Sequence, residues 1–439
     1  MQNKGLLSDK PYRTKGGVRV SHFKNTKDSA SVDITPPTTV VIPMSQHVGV
    51  PCEPIVKAGD IVAVGQKIAD SDKFISAPIH ASVSGEVVRI GEFLMSNGQV
   101  TKTVEIASDG LMTVSDEVVP PTVTDTASLI KAVRESGLVG LGGAGFPAHV
   151  KLNVPEGKSV DTLVINGAEC EPYITSDYRC MMENTEDVAK GVRLLIDIMK
   201  LERAIICIEG NKPKAISLLT ETFANDEKIS VLKLKTSYPQ GAEKILVQAA
   251  TGRRIPPGKL PADVGCVVMN VASAAFIAQY ISTGMPLVSK RITVDGSAVA
   301  EPKNVNVPIG ISIKEVIEFC GGYKEPARQI IMGGPMMGVN VYEDATPILK
   351  QNNAILAFNE KDSPRSNASA CIRCGRCVKA CPMHLMPTLL ESMSTSKDVQ
   401  GLRENGAMSC MECGSCSYVC PAKRNIVQAI RLGKALLRG

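Results

Sequence analysis

The sequence predicts a multidomain α/β plus β protein with a helical, cysteine-rich C-terminal region. Three features predict it: short strand-like segments with Gly and Pro turns near the start, strand-like runs alternating with helical ones in the middle, and two groups of closely spaced cysteines near the end. At 439 residues the chain has room for about three domains. A hydrophobic content of 44% with 4% aromatic residues predicts mainly aliphatic cores.

The charge distribution argues against nucleic-acid binding. A net charge of +5 is mild for this length, and the chain lacks a basic stripe with interleaved aromatic residues. Basic residues gather at the two ends, which predicts contact with an acidic partner or anionic lipid, or simply solvated tails. They are Lys4, Lys10, Arg13, Lys15 and Arg19, and Lys423, Arg424, Arg431, Lys434 and Arg438. The N-terminus lacks an apolar signal segment, so we expect a cytoplasmic, reducing compartment.

The N-terminal part of the chain is predicted to be rich in β structure. Residues 1–35 are expected to form an irregular arm, with SHFKN as a small anchor. Residues 36–110 contain short strand-like segments such as TTVVIPMSQHVG and VTKTVEIAS. The phrases VKAGDIVAVGQKI and SAPIHASVSGEVV resemble barrel-sandwich hybrid domains, which predicts a structural domain of that kind.

Residues 111–285 are predicted to form an α/β domain with parallel strands. The apolar runs TLVING, RAIICIEG, ISVLKLKTSY and VGCVVMNV alternate there with amphipathic helical segments. An uncharged window between Asp263 and Lys290 is long enough to span a bilayer, but its polar residues and strand-like start predict a buried strand followed by a core helix. The segment ITVDGSAVAEPKNVNVPIGISIKEVIEFCGG resembles a small β-grasp-like (SLBB) domain, expected at residues 286–345. A linker is expected at 346–365, and residues 366–439, which contain the two groups of closely spaced cysteines, resemble a two-cluster ferredoxin domain.

Two cysteine runs carry the strongest chemical signal. Each follows the pattern C-x-x-C-x-x-C-x-x-x-C-P, and together they hold eight of the chain's 14 cysteines. Three cysteines at this spacing can surround one four-iron cluster, while the fourth reaches the cluster of the other run. The predicted ligands are Cys371, Cys374, Cys377 and Cys420 for cluster 1, and Cys410, Cys413, Cys416 and Cys381 for cluster 2. Zinc favours two separated C-x-x-C pairs, and disulfides favour secreted chains, so both fit less well.

A glycine-rich segment, GLGGAGFPAHVKL, is the second candidate site. A helical segment precedes it and Pro147 follows, so it does not fit the Rossmann fingerprint, which follows a strand and opens a helix. Closely spaced glycines expose backbone N–H groups and admit a phosphate or planar ring, which favours a ligand loop over a flexible turn. The segment VINGAECEPYITSDYR places Asn166, Glu169 and Glu171 just beyond a predicted strand, where α/β sheets bind ligands; a plain surface turn is the alternative.

These segments, with YPQGAEK and MNVAS, resemble the NADH-oxidising flavoprotein subunit of respiratory complex I. The resemblance implies non-covalent FMN and NAD(H) as the substrate, and it implies that Phe146 stacks on the nicotinamide nucleotide. The residues that match the family's motifs are Gly140, Gly142, Gly143, Gly145, Phe146, Lys151, Asn166, Glu169, Glu171, Gly241, Glu243 and Asn270. The chain departs from the family at Leu141, Ala168 and Ala242, where the family has an Arg and two carboxylates.

Over nearly its full length the chain resembles the C subunits of Rnf complexes, through the β-rich start, INGAECEPYITSDYR, GGPMMG and the two-cluster ferredoxin tail. That resemblance implies a peripheral subunit on the cytoplasmic face of the membrane. It would belong to an ion-translocating ferredoxin:NAD⁺ oxidoreductase, with the other subunits as partners and ferredoxin as an indirect one. Because NAD(H) exchanges electron pairs and clusters exchange single electrons, the flavin is expected to lie between them, with no catalytic acid or base. A cobalamin reductase of the diol-utilisation type and a non-catalytic wiring subunit are the alternatives.

Overall fold

The computed structural model describes residues 11–12, 15–364 and 367–438. Its first region is all-β, as the turn-rich strand pattern predicts. The strands are β1 (Val32–Asp33), β2 (Thr39–Pro43), β3 (Glu53–Pro54), β4 (Ile61–Val62), β5 (Lys67–Asp70), β6 (Ile79–His80), β7 (Gly85–Leu94) and β8 (Val100–Ser108). Strands β2 to β8 form two antiparallel sheets, ordered β2-β8-β7-β4 and β3-β5-β6. Fully buried aliphatic residues such as Ile42, Ile68 and Ile106 fill the core of this region.

The second region is an α/β domain with a parallel sheet, as predicted, and helices cover both faces of the sheet. Its elements are α1 (Thr126–Glu135), α2 (Ala148–Leu152), β9 (Thr162–Gly167), α3 (Ser176–Glu183), α4 (Thr185–Met199), β10 (Arg203–Glu209), α5 (Pro213–Thr222), β11 (Ile229–Leu234), α6 (Glu243–Thr251), β12 (Cys266–Asn270) and α7 (Val271–Thr283). The strand order is β11-β10-β9-β12, with every pair parallel. All four strands therefore end at one edge, which collects the loops after β9, β11 and β12.

The uncharged window between Asp263 and Lys290 folds as β12 and α7, a buried strand followed by a core helix, as predicted. Among the described residues, no helix is both long and apolar enough to cross a membrane.

The third region is a mixed sheet built around one helix. It contains β13 (Ser289–Asp295), β14 (Lys303–Pro308), α8 (Ile313–Phe319), β15 (Gln329–Met332), β16 (Val339–Val341) and β17 (Ala354–Phe358). The sheet order is β1-β14-β13-β17-β15-β16. Strand β17 lies inside the segment predicted as a linker at 346–365, so that prediction was wrong for these five residues. The run AILAF is apolar throughout and fully buried, because a strand between two neighbours with both faces covered needs no alternation.

The described part of the N-terminal arm pairs with other regions of the chain, whereas an irregular segment was expected. It supplies β1, which pairs in parallel with β14, and its Val18 exchanges backbone hydrogen bonds with Tyr238 at 2.8 and 2.9 Å. Gly17 donates its N–H to the carbonyl of Ala380 in the cysteine-rich region at 2.9 Å. The arm therefore runs between the parallel-sheet region and the C-terminal region. Lys4, Lys10 and Arg13 of the predicted basic segment lie outside the described residues.

The C-terminal region is helical, as predicted. Its helices are α9 (Arg376–Ala380), α10 (Pro387–Thr395), α11 (Val399–Glu404), α12 (Ser415–Tyr418) and α13 (Ile426–Leu436). The short helices α9 and α12 each lie inside one cysteine run. Leu390, Leu402 and Ile430 form a small buried core with Cys377 and Cys416, so the cysteine runs are part of the packing of this region. The domain boundaries given above stay predictions.

Candidate cofactor sites

The glycine-rich loop joins α1 to α2 and lies against the start of α7. Leu141 donates its N–H to Ser273 Oγ at 3.1 Å, which fixes the loop to that helix. A Cβ added to Gly142 would lie 3.2 Å from Asn270 Nδ2, so a side chain there would press on the asparagine. Gly143 has φ +122°, and a Cβ on it would meet no protein atom within 4 Å. The loop thus presents bare backbone toward open space, which is what close approach by a flavin phosphate or ring requires.

Four segments that are distant in sequence meet beside this loop. Lys151 of α2 forms an ion pair of 2.8 Å with Glu243 at the start of α6. Asn166, near the end of β9, donates from Nδ2 to the Gly241 carbonyl at 2.9 Å. Asn270 caps α7 by accepting from the N–H groups of Ala272 and Ser273. The structure therefore brings these predicted residues to the carboxyl edge of the sheet.

The departure from the family at Ala168 has a packing reason. Ala168 is fully buried, and a Cβ on Gly241 would lie 3.3 Å from the Ala168 Cβ, so a carboxylate at position 168 has little room. The Ala168 carbonyl accepts from Lys212 Nζ at 3.0 Å. Ala242 is the N-cap of α6, directly before Glu243. At position 168 the missing carboxylate is thus replaced by close packing against Gly241.

Glu169 is held inside the protein. Its Oε1 accepts from the Asp177 N–H at 2.7 Å and its Oε2 from the Tyr178 N–H at 3.3 Å, at the first turn of α3. Lys24 of the N-terminal arm is half-buried, and its Nζ donates to the carbonyls of Glu169, Glu171 and Ile174 at 2.5 to 3.0 Å. Burial raises the pKa of Glu169 and lowers that of Lys24, while each charge opposes the shift of the other. The predicted anchor segment SHFKN therefore fixes the loop after β9.

Glu171 has a different set of partners. Its carboxylate accepts from the N–H groups of Met336 and Met337 at 3.0 and 2.9 Å, and from the Tyr238 hydroxyl at 3.4 Å. A Cβ on Gly334 would lie 2.2 Å from Glu171 Oε2. A side chain at this position of GGPMMG would therefore displace the carboxylate. Burial raises the pKa of Glu171 to about 7, against the effect of these hydrogen bonds. The roles assigned to Glu169 and Glu171 in nucleotide binding stay predictions.

Sequence reasoning missed three residues of this site. Asp177 accepts from Asn270 Nδ2 at 2.7 Å, and Lys212 donates to the loop after β9. Tyr238 is 1% exposed and links the site to the C-terminal region. Asp177 and Tyr238 lie within the quoted segments INGAECEPYITSDYR and YPQGAEK, so their sequence context was a usable signal. Lys212 has no local signal, because its role depends on the register of β10 beside β9.

The predicted cluster 2 ligands surround one cavity. Cys381 from the first run and Cys410, Cys413 and Cys416 from the second line it together with apolar neighbours such as Ile430. This arrangement is the cross-run set expected from the spacing, and four thiols around an apolar cavity fit a four-iron cluster. Burial, together with the neighbouring thiols, raises the pKa of the Cys416 thiol to about 12.

The predicted cluster 1 ligands lie nearer to solvent. Cys371 and Cys374 are exposed, Cys420 is half-buried and Cys377 is buried. Burial raises the pKa of Cys377, and the charge of Cys420 from the other run adds to that shift. Over the ranges that the structure describes, no group of three or more His, Cys, Asp or Glu side chains is arranged to hold a single metal ion.

The second cysteine run is in contact with the candidate flavin site. The Tyr238 hydroxyl donates to the Cys413 carbonyl at 2.7 Å. Tyr238 lies three residues before Gly241, whose carbonyl accepts from Asn166. A Cβ on Gly414 would lie 2.6 Å from the Met336 carbonyl oxygen. The second run therefore packs against both GGPMMG and the segment that carries Gly241.

Comparison with protein families matches four consecutive parts of the chain. An RnfC barrel sandwich hybrid domain matches residues 12–111, and a Nuo51 FMN-binding domain matches 133–279. An SLBB domain matches residues 291–340, and a 4Fe-4S dicluster domain matches 363–421. These matches confirm the predicted fold class and the predicted cofactors, FMN and two [4Fe–4S] clusters.

Similar curated proteins span nearly the whole chain. It is 46% identical to the C subunit of the proton-translocating ferredoxin:NAD(+) oxidoreductase complex of Clostridium ljungdahlii, over 96% of this chain and 93% of that protein. It is 43% identical to the C subunit of the Na(+)-translocating ferredoxin:NAD(+) oxidoreductase complex of Acetobacterium woodii, over 96% of both. The chain belongs to the RnfC family. The RnfC-family protein of Rhodobacter capsulatus, the C subunit of an ion-translocating oxidoreductase complex, is 38% identical over 97% of this chain and 83% of that protein.

Solved structures share the fold of this RnfC-family chain. A chain of the NAD⁺-reducing [NiFe]-hydrogenase in the H2-reduced state matches with a TM-score of 0.50 and 18% identity, over 73% of this chain. The air-oxidised state matches with a TM-score of 0.51 and 19% identity, over 74% of this chain. In both cases the match spans 65% of the hydrogenase chain.

Proposed function

We propose that this chain is the NAD(H)-oxidoreducing, electron-transferring peripheral subunit of a membrane-bound, ion-translocating ferredoxin:NAD⁺ oxidoreductase. It would act on the cytoplasmic face of the membrane, with the other subunits of the complex as partners. The observation that carries the proposal is the direct contact between the two candidate sites, through the Tyr238 hydroxyl and the Cys413 carbonyl at 2.7 Å. The names of the relatives, all C subunits of ion-translocating complexes, support it.

The residues beside the glycine-rich loop fit FMN. Gly142 and Gly143 leave the backbone bare, and Lys151, Asn166 and Asn270 bring polar side chains to the same edge. When bound, FMN would exchange electron pairs with NAD(H) and single electrons with the clusters. The protein's own part is to bind and orient the two nucleotides, so no side chain has to donate or remove a proton. Phe146 at the end of the loop is the proposed stacking surface for the nicotinamide nucleotide.

The contacts also suggest an order for the two clusters. The cluster 2 cysteines lie behind Tyr238, next to the segment that holds Gly241. The cluster 1 cysteines include exposed Cys371 and Cys374. Electrons from NADH would therefore reach cluster 2 first and leave through cluster 1, or take the reverse route when NAD⁺ is reduced.

Anaerobic reconstitution of the whole chain with iron, sulfide and FMN tests the proposal. We expect about eight irons per chain, bound flavin, and bleaching of the flavin absorbance on addition of NADH. Lys151→Ala should weaken flavin binding, because the lysine lies beside the loop. The matched control is Lys158→Ala, which breaks the comparable ion pair of 2.7 Å with Asp263 away from the loop. Eight irons without bleaching by NADH would leave a non-catalytic wiring subunit and withdraw the NAD(H) site.

A further inference from the structure

The two cysteine runs differ in exposure. Every described residue from 367 to 376 is exposed, and this stretch includes Cys371 and Cys374. The equivalent cysteines of the second run are less exposed: Cys410, which corresponds to Cys371, is half-buried, and Cys413, which corresponds to Cys374, is buried. Because the second run also packs against Tyr238 and Met336, the first run is where this redox path meets solvent. Among the cluster cysteines that the structure describes, Cys371 and Cys374 are the exposed ones, so an electron carrier outside the chain can approach most closely there.

The exposed run is also surrounded by uncompensated positive charge. Residues 367–381 and 417–425 contain basic side chains and no Asp or Glu: Arg373, Arg376, Lys379, Lys423 and Arg424. Glu391 packs against this surface, and it is already bonded to Arg424 at 2.9 Å. The second run has Glu412 at the position equivalent to Arg373, and Arg431 and Lys434 are bonded to that glutamate. The excess of positive charge is therefore specific to the first run.

Apolar side chains complete the surface. Ile372, next to Cys371, is 66% exposed, and Met386, just before α10, is 52% exposed. Thr388 on α10 lies 3.6 Å from Cys371 Sγ, which places the start of this helix beside the cysteine. An apolar centre with a charged rim is the usual composition of a transient protein interface, and charge of one sign increases the rate of encounter with a partner of the other.

We infer that this surface, formed by Ile372, Arg376, Lys379, Met386 and Lys423, docks an acidic protein domain that carries its own one-electron centre. The inference rests on the proposed function, since it supplies the partner for the outer end of the electron path. One electron passes in each encounter: the partner's centre loses the electron that cluster 1 gains, or the reverse. No bond forms or breaks and no proton is transferred. We call this surface the exit surface.

Charge reversal tests the exit surface on the reconstituted full-length chain. The variant Lys379→Glu/Lys423→Glu changes two exposed side chains that are not cluster ligands. The matched control, Lys57→Glu/Lys228→Glu, makes the same change in net charge at exposed lysines of the other regions. The probe is a reduced bacterial two-cluster ferredoxin of strongly negative net charge, and stopped-flow spectroscopy follows its oxidation by the chain. Iron content and NADH-dependent flavin bleaching are measured on every variant.

We expect the exit-surface variant to slow the second-order reaction with the ferredoxin about tenfold at low ionic strength, and the control to change it little. Added salt should slow the unmodified chain and reduce the difference. Flavin bleaching and iron content should stay unchanged. Ile372→Ser should also slow the reaction, with a weaker dependence on salt.

Two results would overturn the inference: equal slowing by the variant and the control, or no slowing by either. Exit-surface-dependent binding to anionic phosphatidylserine vesicles, with an unchanged ferredoxin rate, would also overturn it and assign the charge to lipid. If NADH fails to bleach the flavin but ferredoxin still reduces the chain through this surface, the proposed function fails while the exit surface stands.

Discussion

The two cysteine runs have the same spacing and opposite surroundings. In the first run, Cys371 and Cys374 are exposed among arginines and lysines. In the second, the equivalent Cys410 is half-buried next to α13, and the equivalent Cys413 is buried behind Tyr238. Spacing determines which cysteines can share a cluster, because it sets how the chain curls around the metal. The neighbours determine whether that cluster faces the flavin site or solvent.

A single pair of equivalent positions shows how the difference arises. The second residue after the first cysteine is Arg373 in the first run and Glu412 in the second. Burial opposes ionisation of Glu412, but hydrogen bonds from Lys434 and Arg431 outweigh it and lower the pKa. The ionised Glu412 thus ties the second run to α13, whereas the side chain of Arg373 is exposed.

Removing one ligand from each cluster in turn should have the greatest effect on iron content and on reduction by NADH. Cys413→Ser and Cys374→Ser should each lower the iron content by about four per chain, since each removes one ligand of a different cluster. After Cys413→Ser, NADH should no longer reduce the remaining cluster efficiently. After Cys374→Ser, NADH should still reduce cluster 2. Iron analysis and electron paramagnetic resonance of NADH-treated samples measure both, and equal reduction in the two variants would contradict the proposed order.

The two cysteine runs carry glycines at equivalent positions. Gly375 and Gly414 follow the second cysteine of their runs with φ +70° and +74°. Alanine at either position should cost about 1–2 kcal/mol for the left-handed backbone. Gly414→Ala should cost a further 1–3 kcal/mol, roughly the penalty of overpacking, because its Cβ would lie 2.6 Å from the Met336 carbonyl oxygen. A Cβ on Gly375 meets nothing within 4 Å. Thermal unfolding of the reconstituted proteins compares them, and equal losses would mean that the two runs are packed alike.

The buried carboxylate beside the second run predicts a pH dependence. The pKa of Glu171 is raised from 4.5 to about 7, so the folded protein binds a proton more tightly than the unfolded chain. Its contribution to the free energy of unfolding is complete below about pH 4.5 and is lost as pH rises through about 7. Glu171→Gln should remove this slope, which amounts to on the order of 3 kcal/mol.

Denaturation of both proteins between pH 5 and 8 measures the difference in slope. Glu183→Gln is a control, since the pKa of that carboxyl is lowered instead, chiefly by the Ser31 N–H and by Arg179 against the effect of burial. Parallel pH profiles for Glu171→Gln and the unmodified chain would show that Glu171 is ionised throughout.

The smallest expected effect concerns the contact between the two sites. Tyr238→Phe leaves the Cys413 carbonyl without its hydroxyl donor and should cost about 1–3 kcal/mol of stability. Tyr418→Phe, at a side chain that is 53% exposed, is the control and should change little. Chemical denaturation measures both. Equal losses of stability in Tyr238→Phe and Tyr418→Phe would contradict the conclusion that the Tyr238 hydroxyl joins the two sites.

Much of the architecture was predictable from local patterns. The alternation of TLVING, RAIICIEG and ISVLKLKTSY with helical segments is enough to predict a parallel sheet, because each pattern reflects the period of its own element. Strand β17 was missed, because five apolar residues without alternation, separated by about sixty residues from their partner β13, carry no local sign of pairing. Lys212 was missed for the same reason, since its partner is a carbonyl group of a distant loop.

The cofactor chemistry could be predicted from the sequence alone, because it contains two sets of four thiols at cluster spacing and a glycine-rich loop with the polar residues of a predicted flavin site. Only the tertiary structure decided how these parts face one another. In the folded chain, Cys413 is buried behind Tyr238, Cys371 and Cys374 are exposed, and the Glu171 carboxylate accepts a hydrogen bond from Met336 of GGPMMG. The physical reason is that ligand type and spacing act over a few residues, whereas burial and charge environment depend on segments that meet only when the chain folds.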